Sequence, residues 1–146
     1  MKMKFLALVL LLSALGFGSG LAAEKVWVGL YLAENAPPHP HAVVAPEKLH
    51  HRLRAVFGFE HYVLVKGQEF KLTDQWEHWS IPRKDLFIRI EPLPQQPGGP
   101  KIIDYEIYKD GFMVAQGQYE PHKDTPLFIN GPDFNDGRFI FVLEGR

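Results

Sequence analysis

Cysteine is missing from all 146 residues. Disulfide staples, thiol nucleophiles and the lipid attachment of a bacterial lipoprotein are therefore excluded, and stability has to come from core packing. Serine is nearly as scarce. Beyond residue 23 only Ser80 remains, set in Trp79-Ser80-Ile81-Pro82 rather than in a Gly-x-Ser-x-Gly elbow, and Thr73 and Thr125 stand in turn-like contexts without an activating neighbour. Serine, cysteine and threonine nucleophiles are thus poorly supported. A basic surplus is lacking too: once Lys2 and Lys4 are set aside, 14 basic side chains face 17 acidic ones. That balance argues against a nucleic-acid partner, which asks for a cationic stripe to neutralise phosphates. No apolar run reaches the roughly 20 residues of a membrane-spanning helix.

What is present begins with an export pattern. Met1 to Lys4 carries two lysines, Phe5 to Leu15 is apolar but for Ser13, and Gly16 to Ala23 is rich in small residues. These match the three regions of a secretory signal, with cleavage expected after Ala22 or Ala23. The expected organisation is a signal peptide over 1–23 and a single β-rich domain over 24–146, exported to the periplasm or the extracellular space, with no membrane span after cleavage. About 123 residues suffice for one domain with a core of its own.

Val26 to Leu32 reads as a first strand, and Pro37, Pro38 and Pro40 make the stretch from Ala33 to Ala45 a loop, since proline lacks the ladder donor. Pro46 to Phe57 reads as a helix. Its Leu49, Leu53, Val56 and Phe57 recur at the 3.6-residue period, Pro46 suits the first helical position and Gly58 the left-handed cap. Further strands are expected at 60–66, 69–72, 75–80, 86–91, 102–108, 112–119, 127–129 and 138–144. Asp110-Gly111 is a hairpin turn signal. Ile103, Tyr105 and Ile107 alternate with polar residues, and the unbroken apolar run Phe139 to Leu143 marks a central strand. The fold class is therefore α+β: one N-terminal helix packed on an antiparallel, sandwich-like domain of about seven to nine strands.

The run Leu53-Arg54-Ala55-Val56-Phe57-Gly58-Phe59 into Tyr62-Val63-Leu64, the segment Ile90-Glu91-Pro92, and the turn Gly131 to Gly137 before Phe139 to Leu143 together resemble an uncharacterised group of exported bacterial proteins. That resemblance implies export and a β-rich architecture. The motifs are packing and turn residues and carry no catalytic side chain across.

Histidine is the chief chemical signal, with seven in the chain. His39 and His41 in the proline-rich loop, with His50 and His51 near the start of the helix, are the candidate ligands for a zinc or copper ion, imidazole being the commonest biological metal ligand. Their spacing matches no standard ligand signature, so the competing reading is that they decorate a loop and a solvent face. Asp133, Asn135 and Glu144 fall at the first, third and twelfth positions of an EF-hand-like loop, but Arg138 stands where glycine is needed, so the match reads as coincidence around a turn. Trp76 and Trp79, three apart, would point to opposite faces of a strand, so they are expected in the core rather than on a sugar-stacking platform. Paired carboxylates could do acid/base work, but no spacing selects a pair.

These readings favour a non-catalytic binding or assembly module of the cell envelope, whose partner is an envelope protein or polysaccharide met through strand edges or the loops at Pro37 to His41 and Pro92 to Pro100. A histidine-based transition-metal protein is the alternative, and an enzyme of unknown class the third. No cofactor is required by the first reading.

Overall fold

A computed structural model describes residues 23–73 and 76–146. The expected signal segment falls almost wholly outside the described residues. Eight strands and one helix follow in the order β1 (Lys25–Glu34), α1 (Glu47–Phe57), β2 (His61–Lys71), β3 (His78–Arg83), β4 (Leu86–Pro92), β5 (Ile103–Lys109), β6 (Phe112–Tyr119), β7 (Leu127–Phe134) and β8 (Gly137–Gly145). They form two four-stranded sheets, β2-β1-β8-β7 and β3-β4-β5-β6, every pairing antiparallel. The helix comes second in chain order, between β1 and β2.

The alternation of side chains along each strand builds the layers. Val26, Val28 and Leu30 of β1, with Phe139, Phe141 and Leu143 of β8, meet Ile88, Ile90, Ile103 and Ile107 of the second sheet in one buried cluster. The opposite face of the first sheet supplies Tyr31, Ala33, Tyr62, Ile140 and Val142 to a second cluster, closed by Leu49 and Leu53 of α1. β8 is buried on both faces because one lies under the helix and the other under the second sheet, which is what its unbroken apolar run requires.

Several boundaries differ from those read in the sequence. The strands at 60–66 and 69–72 are one, β2, running through Lys66-Gly67-Gln68 with Val65 bulged out opposite the Leu30–Tyr31 step. Gly67 is no turn residue: a Cβ there would lie 2.8 Å from Cζ2 of Trp27, whose indole lies against both Gly67 and Gly29. β3 starts at His78 rather than at residue 75, and β7 continues through Pro132, tolerable because β7 is an edge strand. Pro46 caps α1 instead of occupying its first turn, while Gly58 takes the left-handed cap at φ 81°. Val56 is 62% exposed, so the buried stripe of the helix narrows to Leu49 and Leu53. Asp110 and Gly111 both have positive φ, as the hairpin signal demands.

Candidate binding surfaces

The four edges of the two sheets are not equally defended. Edge strands normally carry charge, proline or a bulge, or lie under other chain, because their unpaired N–H and C=O groups will template another strand. β2 has Lys66, Glu69 and Lys71, and the 43–45 segment covers it by bonds from Leu64 N to Val43 O and from Ala45 N to Tyr62 O. β3 has Pro82 and Arg83, and β7 has Pro132 and Asp133, each with a break in register. β6 reads Phe-Met-Val-Ala-Gln-Gly-Gln-Tyr, without a charge or a proline. Its bulge at Val114 leaves the ladder from Ala115 to Tyr119 in register with β5, and Phe112, Met113 and Val114 are exposed by 75%, 48% and 54%.

Beside this edge lies the outer face of the second sheet. Phe87 and Tyr108 are cross-strand partners with stacked rings 5.4 Å apart, and Trp79 lies 5.6 and 5.8 Å from them. The core placement expected for the tryptophans is overturned: Trp79 is 41% and Trp76 74% exposed. One row along, Arg89 makes paired bonds to Glu106 (2.6 and 3.2 Å) and one to Glu91 (2.7 Å). The guanidinium, helped by the Tyr108 hydroxyl, holds the Glu106 carboxyl below the usual range, and Glu106 in turn raises Tyr108. Bound this fully, the cluster is a structural brace across β4 and β5 rather than a poised acid and base.

No family model, curated protein or solved structure matches this chain.

A concavity of about 420 Å³ opens between the start of α1 and the part of the first sheet that the helix leaves bare. Trp27, Tyr31, Leu49 and Leu64 are among its walls, and Arg146 stacks its guanidinium 4.6 Å above the Trp27 ring. Burial pushes the Tyr31 hydroxyl up to about 12, with Glu144 adding to the rise and Arg146 opposing it. At neutral pH that hydroxyl is a proton donor.

The four histidines expected to bind metal separate into two pairs. His39 and His41 keep their rings 5.5 Å apart in the loop, with the His41 amide donating to His39 Nδ1 at 3.2 Å. His50 instead meets the Tyr62 ring at 5.6 Å, and His51 lies 3.8 Å from Glu47. Among the described residues no three histidine, aspartate or glutamate side chains gather into a metal-holding group. The turn after β7 is a hairpin with Asn135 at φ 51°, consistent with turn chemistry for the EF-hand-like spacing. β6 and the outer aromatic cluster were missed as a surface. The uncharged stretch 112–119 was the available signal, but an edge is defined by which strands lack neighbours, and that is a property of topology.

Proposed function

We propose that the chain is an exported, non-catalytic binding module of the cell envelope that takes up an extended segment of a partner protein along β6. The observation that supports this reading is the least defended edge among the described residues: eight residues without charge or proline, interrupted by one bulge at Val114, opening on an exposed Phe-Met-Val triplet. Strand addition gives main-chain hydrogen bonds for affinity and leaves side-chain pockets for specificity. The outer aromatic cluster would continue under an added strand, because Met113 pairs with Tyr108 and Gln116 with Glu106. Export rests on the pattern in residues 1–23 and on the resemblance to exported bacterial proteins. Cleavage after Ala22 fits best, since Ala23 packs in the core at 1% exposure.

The test is a photo-crosslinker at Gln116 of the native exported protein in its own cells. A discrete protein adduct is expected, lost in Val114→Lys while thermal unfolding is unchanged, because a charge on an edge blocks pairing. Recovery of free monomer only, of a polysaccharide adduct, or of a protein adduct indifferent to V114K would overturn it.

A further inference from the structure

The cleft beside α1 lies on the other sheet from β6 and has a chemistry of its own. Its walls are apolar where they meet the sheet and the 43–46 segment, through Trp27, Leu64, Val43 and Val44. Its rim is cationic. Lys48, Arg52, Lys123 and Arg146 line it against two carboxylates, Asp124 and Glu144. Lys48 answers Asp124 at 4.0 Å and Arg146 answers Glu144 at 3.7 Å. Arg52 donates to the backbone oxygen of Asp124 at 2.9 Å instead of a carboxylate, and Lys123 makes no ion pair among the described residues. Two positive charges are thus left over at the mouth of an apolar cleft, in a chain whose acidic side chains outnumber its basic ones by 17 to 16.

A second observation points inward. Tyr62 bonds its hydroxyl to Leu53 O, Tyr108 to Glu106 and Tyr119 to Thr125 O. Tyr31 is 2% exposed and lines the cleft, yet its hydroxyl finds no partner among the described residues. Facing the cleft, that hydroxyl can donate to an acceptor placed there. The glycines beneath Trp27 set the position of this wall: a Cβ at Gly29 or Gly67 would collide with the indole, so the ring could not lie where it does.

We propose that this cleft binds a small amphipathic carboxylate, its anionic head held by Arg52, Lys123 and the Tyr31 hydroxyl and its hydrocarbon laid along Trp27 and Leu64. The volume suits a ligand of modest size, and an apolar wall with a few convergent polar groups is the usual build of such sites. A neutral amphiphile would leave the cations and the hydroxyl unanswered, and a cationic one would be repelled.

The test is titration calorimetry of the purified exported protein with decanoate, decanol and decyltrimethylammonium, each below its aggregation threshold. Decanoate should bind with a dissociation constant below about 1 mM and perturb tryptophan fluorescence, and decanol should bind at least about tenfold more weakly. The double variant Arg52→Gln, Lys123→Gln, whose side chains are on the surface, should lose about tenfold for decanoate and little for decanol. Tyr31→Phe should lose about fivefold, as for one hydrogen bond, with the fold checked by circular dichroism. Equal binding of decanoate and decanol, full affinity in the double variant, or no heat with decanoate to about 1 mM would each overturn the proposal. The crosslink from Gln116 is expected to be the same with and without decanoate, so this site and the β6 edge stand or fall separately.

Discussion

Replacing Leu53 by alanine tests how α1 is held. An isolated helix of eleven residues is marginal in water, so α1 depends on what it buries. That is little: Leu49 at 9% and Leu53 at 0% exposure are its only buried residues. The Leu53 carbonyl also accepts a bond of 3.0 Å from the Tyr62 hydroxyl. Tyr62 is buried at 0%, with its hydroxyl tied to the helix from β2. Leu→Ala at a fully buried site costs about 2.7–5 kcal/mol, the spread reflecting how far the site collapses. Here the cavity would lie between a helix and a sheet that Tyr62 braces, so little collapse is expected and a loss of about 3–4 kcal/mol follows. For a domain of this size that lowers Tm by roughly 10–15 °C. Urea unfolding with Val56→Ala as control is the assay, since Val56 is exposed and its truncation should change stability by less than about 0.5 kcal/mol. Hydrogen exchange of the α1 amides separates global loss from local detachment of the helix, which would open the helix while leaving β8 protected. A change below about 1 kcal/mol, with α1 amides still protected, would refute the argument that Leu53 anchors the helix.

Glu106→Gln should lower the urea midpoint at pH 7. The Glu106 carboxyl is depressed in the folded state, by Arg89 first, so its contribution is present above the unfolded value of about 4.3 and lost as pH falls through the lower folded value. Wild type and variant should therefore converge near pH 3, and a gap that widens on acidification would contradict this. For the histidines, calorimetry with zinc and copper is expected to give the same weak binding in the wild type and in a variant with His39, His41, His50 and His51 changed to alanine, because the loop pair and the helix pair do not converge. A clear loss of affinity on substitution would support the metal reading instead.

Most strands were legible because each carries its own period and punctuation. β5 shows this best, with Ile103 and Ile107 buried and Asp104 and Glu106 on the outer face. The errors arose where a residue's reason lies in another part of the chain. Gly67 looks like a turn in isolation and is a strand residue because Trp27 needs room there. Pro132 looks like a strand end and is carried on an edge. The surfaces were less legible still. Trp79, Phe87 and Tyr108 come from three strands, and no spacing in the sequence announces that they meet. The cleft draws on β1, the 43–46 segment, α1, β2, the loop after β6 and the end of β8, so it exists only once the layers are assembled.

The strand order of the first sheet also bears on when this protein can fold. β1 lies between β2 and β8, with Val26 paired to Gly145, so the start and the end of the domain are neighbours in the sheet. Contacts between such distant segments form late, because the loop must close before any bond rewards it. Until β8 has been synthesised, β1 lacks one ladder and both buried clusters lack their central strand. The meander β3-β4-β5-β6 can pair as it emerges, but the first sheet cannot close around β1 until the last strand of the domain has been made.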